Sequence, residues 1–279
     1  MLVIDTPAEM RGWSRGERSA ARRIALVPTM GALHDGHVAL VARAHEFADS
    51  VVVSIFVNPM QFNRPDDFDS YPRPLDDDLA HCARLGVDAV YAPTAATMYP
   101  EGFETAVEPG ALGDVLEGAQ RPGHFRGVTT VVTKLFNAVE PDIAVFGQKD
   151  FQQLAIIRRM VRDLDMGIDI DALSTVREPD GLALSSRNRR LDADQRRAAV
   201  CVSAALRAVH DRYEAGERRT DTLVAAGRAV VDTERLARLE HLEIVDAVTL
   251  EHLDVIDRPA VAVTAVWFGD VRLIDNVLL

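Results

Sequence analysis

Short apolar runs alternate with helix-like segments through the first two-thirds of the chain. Four runs are predicted as strands, at residues 24–27, 51–57, 89–92 and 143–146. Because these runs show no polar alternation, they are typical of parallel strands that helices cover on both faces. Apolar residues at helical spacing predict helices at residues 37–44, 76–85, 128–139 and 151–164. The alternation predicts an α/β fold with a Rossmann-like, doubly wound parallel sheet.

The pattern changes after about residue 175. Two helices are expected there, one capped by Asp192 and running through Tyr213, the other capped by Thr220. Three apolar segments follow at residues 242–250, 260–268 and 271–279, and short connections between them predict a three-stranded antiparallel sheet. We therefore predict two domains, a Rossmann-like domain at 1–175 and a smaller α+β domain at 176–279.

Composition and charge narrow the functional classes. The chain has 279 residues, of which 48% are hydrophobic and 27% charged, as in an ordinary globular protein. A net charge of −12 argues against a nucleic-acid or anionic-membrane binder, since binding to a phosphate backbone requires clustered cations. It does not exclude a small anionic ligand held in a local pocket. The two cysteines, Cys82 and Cys201, lack metal-site spacing, and no apolar run approaches the ~18 residues of a membrane span. We expect a water-soluble, cytoplasmic protein without a signal peptide.

Two histidines mark the turn between the first core strand and the helix after it. His34 and His37 are three residues apart, so at a helix start they share one face. Gly31 and Gly36 permit backbone conformations or close approaches that a side chain would block. Since helix N-termini attract phosphate, this turn predicts a phosphate cradle. A lone histidine is usually a surface residue, but the paired HxGH spacing favours function. Zinc is the weaker interpretation, because a third ligand is lacking.

Neutral amides occur where the second core strand is expected to end. Asn58 and Gln61 directly follow residues 51–57. Each amide offers a donor and an acceptor, which suits a hydroxy acid better than a phosphate. An Asn-Pro turn without any binding role is an equally good interpretation of this segment taken alone.

Cationic and hydroxyl groups follow later strands. Lys149 comes after residues 143–146, and the chain has only one other lysine, Lys134. A flexible ammonium suits a phosphate, although an ordinary surface lysine is an equal alternative. Ser185, Ser186 and Arg187 could bind the oxygens of a triphosphate and of departing pyrophosphate, but such a run is commonplace in loops.

These motifs together resemble one enzyme family. HxGH alone resembles the nucleotidylyltransferase superfamily, which includes class I aminoacyl-tRNA synthetases. The longer string at residues 27–37, VPTMGALHDGH, resembles the pantothenate synthetases, or pantoate–β-alanine ligases. VNPMQF at 57–62, LEGAQRPGHF at 116–125, GQKDFQQ at 147–153 and LSSRN at 184–188 also resemble motifs of that family, in the same order. The resemblance covers nearly the whole chain.

The resemblance implies an ATP-dependent condensation of (R)-pantoate with β-alanine. Pantothenate, AMP and pyrophosphate would form through an enzyme-bound pantoyl adenylate. The ionised pantoate carboxylate needs positioning and charge neutralisation rather than a general base. The catalytic residues that the resemblance implies are His34, His37, Lys149 and Arg187.

The resemblance also implies two sets of binding residues. The ATP-binding set is Thr29, Met30, Gly31, His34, Gly36, His37, Gly147, Gln148, Lys149, Asp150, Val176, Leu184, Ser185, Ser186 and Arg187. The set for pantoate and β-alanine is Asn58, Gln61, Arg121 and Gln153. The chain departs from the family pattern at Leu184, where Met is usual, and at Phe151, where Tyr is common. At Leu184 we expect an altered contact rather than a lost site, since Leu and Met have similar volumes. At Phe151 the phenol hydroxyl is lost, and we expect no loss of function.

Mg²⁺ is the further cofactor that the resemblance implies. Asp76, Asp77 and Asp78 stand together at a predicted helix start, where acids either bind a metal or complement the helix dipole. Mg²⁺ usually arrives with ATP phosphates and few protein ligands, so its ligands remain unassigned. The resemblance also implies a homodimer, and closure of residues 176–279 over the ATP site is a further hypothesis.

Two alternatives remain open at the level of sequence. A nucleotidylyltransferase acting on a phosphorylated acceptor would share HxGH, but its acceptor pocket should be cationic rather than amide-rich. A non-catalytic adenine-nucleotide-binding module would leave the amides at Asn58, Gln61 and Gln153 without a purpose. An aminoacyl-tRNA synthetase is disfavoured by the net charge and by the lack of an anticodon domain.

Overall fold

The computed structural model describes residues 1–63 and 68–279. These residues form two compact units, one of residues 1–148 and 152–173, the other of residues 149–151 and 174–279. No described helix is both long and apolar enough to cross a membrane. Cys82 and Cys201 are both free thiols.

The first unit is built on one six-stranded sheet whose neighbouring strands are all parallel. The strand order is β1-β4-β3-β2-β5-β6. The strands are β1 (Leu2–Ile4), β2 (Ile24–Thr29), β3 (Ser50–Ile55), β4 (Ala89–Tyr91), β5 (Ile143–Gly147) and β6 (Asp169–Leu173). All six residues of β3 are buried, as the unbroken apolar run predicts. The doubly wound parallel sheet is confirmed.

Helices connect these strands. They are α1 (Pro7–Ser19), α2 (Asp35–His45), α3 (Leu75–Arg84), α4 (Ala95–Met98), α5 (Glu117–Gln120), α6 (His124–Val139) and α7 (Phe151–Asp163). A 3-10 turn at Pro59–Gln61 follows β3. The sequence patterns did not reveal β1, α1 and β6. β1 has three residues and β6 carries two aspartates, so neither resembles a buried strand in sequence.

The second unit carries a three-stranded antiparallel sheet in the order β7-β8-β9, as predicted. The strands are β7 (Ala237–Asp246), β8 (Ala260–Phe268) and β9 (Val271–Leu278), and the helices are α8 (Ala193–Ala198), α9 (Val200–Glu214) and α10 (Thr220–Val231). The predicted strand at 242–250 was placed too late, since β7 ends at Asp246.

Two details of the predicted helices in this unit were wrong. Asp192 does cap a helix, with Gln195 completing the capping box, but that helix ends at Ala198 and a separate one begins at Val200. Thr220 is the first helical residue rather than the cap, which is Arg219. The Thr220 hydroxyl instead donates to the carbonyl of Leu253 at 2.5 Å, so it fastens the helix to the segment before β8.

Candidate active site

Three of the predicted motifs begin at the carboxyl ends of neighbouring strands. β2 pairs with β3 on one side and with β5 on the other, all in parallel. The chain order reverses at β2, because β3 and β4 lie on one side of it and β5 and β6 on the other. Such a switch point is where open α/β sheets bind ligands. The loops after β2 and β3, at residues 30–34 and 56–58, together with Gln148 after β5, are therefore the candidate site of the first unit.

The loop after β2 has an unusual backbone. Gly31 and Ala32 both adopt left-handed conformations, with φ of +82° and +52°. The N–H of Gly31 donates to Oγ1 of Thr29 at 3.1 Å, and that hydroxyl donates to the carbonyl of Ser54 at 2.7 Å. Thr29 therefore ties the loop to the end of β3.

A remote carboxylate completes this loop. Oδ2 of Asp78 accepts the N–H of Ala32 and Oδ1 accepts that of Leu33, each at 2.8 Å. Asp78 lies in the first turn of α3 and is only 2% exposed. A Cβ on Gly31 would approach Oδ2 of Asp78 to 2.9 Å, so glycine is required there for space as well as for conformation. The sequence did not reveal this role, because Asp76 and Asp77 beside it look the same.

The two histidines start helix α2 as a capping box. Nδ1 of His34, the N-cap, accepts the N–H of Gly36 at 3.1 Å, and Nδ1 of His37 accepts the N–H of His34 at 3.2 Å. Their ring centroids are 4.1 Å apart. Because a backbone N–H can only donate, both Nδ1 atoms are acceptors, and the neutral rings carry their protons on Nε2. The pair therefore offers two N–H donors at a helix N-terminus, which is the chemistry of an anion cradle.

The amides after β3 form a closed hydrogen-bonded cluster. Nδ2 of Asn58 donates to Oε1 of Gln61 and to the carbonyl of Gly127, both at 3.0 Å. Oδ1 of Asn58 accepts the Tyr99 hydroxyl at 2.8 Å and the N–H of Met60 at 3.2 Å. Asn58 is 1% exposed and all four of its hydrogen-bonding positions are filled. It therefore orients Gln61, a role that its position beside a proline did not reveal.

The backbone of Gln61 is held as firmly as its side chain. Its carbonyl accepts from Arg121 at 3.1 Å and lies 2.7 Å from Nδ1 of His124. The amide Nε2 of Gln61 contacts Sδ of Met30 at 3.0 Å, which links the segment after β3 to the loop after β2. A Cβ on Gly127 would lie 2.4 Å from the carbonyl oxygen of Met60, so α6 packs directly on this turn.

The structure also locates the remaining predicted residues of the first unit. Gly147 ends β5, and the N–H of Gln148 donates to the carbonyl of Leu173 at 2.8 Å. Gln153 is half-buried in the first turn of α7. Its neighbour Gln152 is buried and donates to the carbonyls of Leu112 and Val115, each at 2.8 Å, so it fixes the segment before α5.

Lys149 and Asp150 belong to the second unit. The carbonyl of Lys149 accepts from Nδ2 of Asn276 at 2.9 Å. Asn276 is buried on β9, and its N–H donates to the neighbouring carboxylate of Asp275, which is 3% exposed and forms a bidentate pair with Arg177 at 2.6 and 3.1 Å. The terminal strand therefore anchors the backbone that carries the lysine. Phe151, the family departure, is buried, so a phenol there would need a polar partner.

The serine-rich loop lies in the same unit as Lys149. Its residues begin a short 3-10 turn, Ser186–Arg190, with Ser185 as the N-cap accepting the N–H of Arg187 at 3.2 Å. The N–H of Leu184 donates to the carbonyl of Val176 at 2.9 Å, and Asn188 donates to Glu178 and to the carbonyl of Ala183. No residue of the 3-10 turn is buried. The predicted residues thus gather in two groups, one in each unit.

The acids at 76–78 do not form a metal site of their own. Asp78 is committed to two backbone amides, and Asp76 and Asp77 are exposed. Across residues 1–63 and 68–279, no group of three or more His, Cys, Asp or Glu side chains is placed to hold a metal ion. We therefore assign no magnesium ligands to these acids.

Comparison with known proteins agrees with this geometry. A family model described as pantoate-beta-alanine ligase matches residues 2–278. The chain belongs to the pantoate–β-alanine ligase family. Pantothenate synthetase 1 of Bradyrhizobium diazoefficiens is 51% identical to it over 100% of this chain and 98% of the relative. Members of this family form an amide bond, and this chain is accordingly a ligase that joins pantoate to β-alanine.

Solved structures of the family share the fold. The crystal structure of pantothenate synthetase from Thermus thermophilus matches with a TM-score of 0.91 and 42% identity over 99% of both chains. A pantoate-beta-alanine ligase from Francisella tularensis, described as complexed with beta-gamma ATP and beta-alanine, matches with a TM-score of 0.79 and 34% identity over 100% of this chain and 97% of that one.

Proposed function

We propose that the chain joins (R)-pantoate to β-alanine at the expense of ATP, through an enzyme-bound pantoyl adenylate. The observation that carries the proposal is the capping box at the start of α2, where His34 and His37 present N–H donors at the switch point of the sheet. The Francisella relative described with beta-gamma ATP and beta-alanine supports the same use of ATP.

In the first step a pantoate carboxylate oxygen attacks the α-phosphorus of ATP and pyrophosphate leaves. The carboxylate is already ionised, so the reaction needs no base and depends on alignment and on neutralising charge. We assign that neutralisation to His34 and His37 in the first unit, and to Lys149 and Arg187 in the second. The other residues proposed to contact ATP are Thr29, Met30, Gly31, Gly36, Gly147, Gln148, Asp150, Val176, Leu184, Ser185 and Ser186.

We assign the binding of pantoate and β-alanine to neutral amide side chains. Gln61 and Gln153 are the proposed contacts, because neutral donors and acceptors match hydroxyl and carboxylate groups of the acid. Asn58 and Arg121 serve the same pocket by holding the side chain and the carbonyl of Gln61.

In the second step the neutral amine of β-alanine attacks the acyl carbon of the adenylate. The C–N bond forms, the bond from that carbon to the AMP oxygen breaks, and the amine loses a proton to solvent or buffer. AMP leaves with both electrons of the broken bond. Because a mixed anhydride is readily hydrolysed, the site must keep water away until the amine arrives.

Mg²⁺ is proposed to arrive on the ATP phosphates, where it would share the neutralisation of their charge. The described carboxylates do not form a separate site for it, so no step is assigned to a protein-bound ion.

Three further properties are proposals, and of these the homodimer is the one that the family resemblance implies. Closure of the 176–279 domain over ATP agrees with a serine-rich loop that has no buried residue in its 3-10 turn. It is tested by comparing crystal structures with and without ATP and pantoate. A homodimer is tested by sedimentation velocity. A cytoplasmic location agrees with two free thiols and is tested by cell fractionation.

The direct test of the function is product formation by the purified chain. ATP, Mg²⁺ and pantoate are incubated with and without β-alanine, and the products are identified by mass spectrometry. We expect AMP and pantothenate in equal amounts only when both acids are present, and pantoate-dependent exchange of labelled pyrophosphate into ATP without β-alanine. ATP consumption that yields ADP, or no reaction with any acid, would contradict the proposal.

A further inference from the structure

The carboxylate of Asp78 sits where a ligand anion would sit in other proteins. Successive backbone N–H groups in left-handed or turn conformations form a concave anion-binding feature called a nest. Here the N–H groups of Ala32 and Leu33 form it, and Asp78 of the same chain, 46 residues beyond Ala32, occupies it. The loop after β2 thus carries an internal counterion.

The loop needs such a partner because its conformation is unfavourable. Ala32 holds φ at +52°, which a residue with a Cβ rarely adopts, and it does so in a buried position. Strain of this kind persists only where surrounding contacts enforce it. The two bonds to Asp78 are charge-assisted and short, and they act on Ala32 itself and on the residue after it.

Residues of the proposed machinery flank the loop on each side. Met30, just before the nest, contacts the amide of Gln61. His34, just after Leu33, is the N-cap of α2 and part of the capping box with His37. A shift of the Gly31–Leu33 backbone would therefore displace the phosphate cradle and the acid-binding amide together.

We propose that Asp78 is a positioning residue for this ligase. Its buried carboxylate holds the left-handed Gly31–Ala32 loop, and through it sets His34 against ATP and Met30 against Gln61. The inference rests on the proposed roles of those residues. It accounts for one buried acid among three consecutive aspartates, with Asp76 and Asp77 left exposed.

Asp78→Asn tests the proposal, since it keeps the shape and removes the charge and one acceptor. Asp254→Asn is the control, because it makes the same change on a side chain that is 99% exposed and belongs to no proposed binding site. The measurements are pantoate-dependent ATP–pyrophosphate exchange, KM for ATP and for pantoate, and residue-resolved hydrogen exchange, all well below the melting temperature of each variant. A misplacement near 1 Å costs on the order of 10²-fold in rate.

We expect Asp78→Asn to lose on the order of 10²-fold in kcat/KM for both substrates, with faster hydrogen exchange at Ala32 and Leu33. Asp254→Asn should stay within about twofold of the parent chain, because surface changes of this kind are nearly neutral. A folded Asp78→Asn protein with parental rates would overturn the proposal. So would a loss of rate with unchanged exchange at both amides, or an equal loss in the control.

Asp78→Glu serves if the asparagine variant does not fold. It keeps the charge but moves it, and the extra methylene presses on Gly31. For this variant we expect a smaller loss in kcat/KM for ATP and for pantoate than in Asp78→Asn, with faster hydrogen exchange at the amides of Ala32 and Leu33. Parental kinetics despite altered exchange at these amides would refute the positioning role. If the parent chain shows no pantoate-dependent exchange, the proposed function fails, while the hydrogen-exchange results still report whether Asp78 holds the loop.

Discussion

Two loops carry residues proposed to bind phosphate, and they are held in different ways. The loop after β2 is fixed by a buried carboxylate from α3, by Thr29 and by the capping box of His34 and His37. The segment around Ser185–Arg187 includes local bonds, such as those of Asn188 to Glu178 and Ala183. The first is preorganised by contacts remote in sequence, whereas the second rests on partly exposed polar contacts.

This difference predicts different roles for the two loops in the reaction. Preorganised donors stabilise charge without reorganising during the reaction, which suits the groups nearest the reacting phosphate. Segments with exposed hydrogen bonds open at low cost in free energy, which suits a loop that must admit ATP and then contact it. We therefore expect substitutions in the first loop to lower the rate of adenylate formation most, and those in the second unit to have smaller effects.

The largest effect is expected for His37→Ala. It removes an N–H donor and one half of the capping box, and losing one such donor typically costs ~10²–10³ in rate. His45→Ala, on the exposed end of the same helix, is the control and should leave the rate unchanged. The measurement is pantoate-dependent pyrophosphate exchange, with circular dichroism to verify folding. Near-parental exchange in folded His37→Ala would remove the histidine from the mechanism.

Asn58→Ala should act chiefly on the acid substrate. It leaves the Gly127 carbonyl and the Tyr99 hydroxyl unpaired, at a cost of about 1–3 kcal/mol in the free energy of unfolding. It also releases the side chain of Gln61, so KM for pantoate should rise about tenfold while KM for ATP changes little. Steady-state kinetics with each substrate varied in turn gives the result. Equal changes in the KM for pantoate and the KM for ATP would argue against the assignment of Gln61 to the acid substrate alone.

Asn276→Ala tests the anchoring of Lys149 in the second unit. One hydrogen bond to the lysine carbonyl is lost, and a typical net value of about 1 kcal/mol corresponds to roughly fivefold. We expect kcat to fall by about that factor, well short of the loss for Lys149→Ala. If Asn276→Ala matched Lys149→Ala, the second unit would be as strictly preorganised as the first, and the comparison of the two loops would fail.

The smallest kinetic effect is expected at Asp246, which binds the N–H groups of Val248 and Thr249 much as Asp78 binds its pair. Burial by itself would raise the pKa of Asp246, but these N–H groups and Arg258 outweigh it and lower the pKa to about 2. The carboxylate therefore stabilises the fold above its unfolded pKa near 4, and this stability is lost as pH falls toward 2. Asp246→Asn should lower stability at pH 7 by about 2 kcal/mol and flatten the acid transition between pH 4 and 2.

Denaturant melts at several pH values measure this effect, and kinetics at pH 7 provide the contrast. The folded Asp246→Asn enzyme should keep its parental kcat, because no proposed substrate-binding residue lies in that turn. A large loss of kcat would mean that a carboxylate–amide pair anywhere in the chain affects catalysis, and the special role of Asp78 would be weakened.

Local spacing determined what could be predicted from the sequence. HxGH at a strand-to-helix turn indicated the adjacent rings of His34 and His37, because residues three apart at a helix start share one face. Unbroken apolar runs indicated the parallel strands. Contacts between remote segments were not predictable, since nothing in the three aspartates shows that Asp78 reaches a loop 46 residues away. Asn276 and Tyr99 were missed for the same reason.

Isotope transfer tests the central claim, a pantoyl adenylate intermediate, most directly. Pantoate labelled with ¹⁸O in its carboxylate is condensed with β-alanine by the full chain, and the AMP is analysed by mass spectrometry. Attack of the carboxylate on the α-phosphorus predicts that each AMP carries one ¹⁸O atom, while the pantothenate amide keeps the other. AMP without label, or label in pyrophosphate or phosphate, would contradict the account.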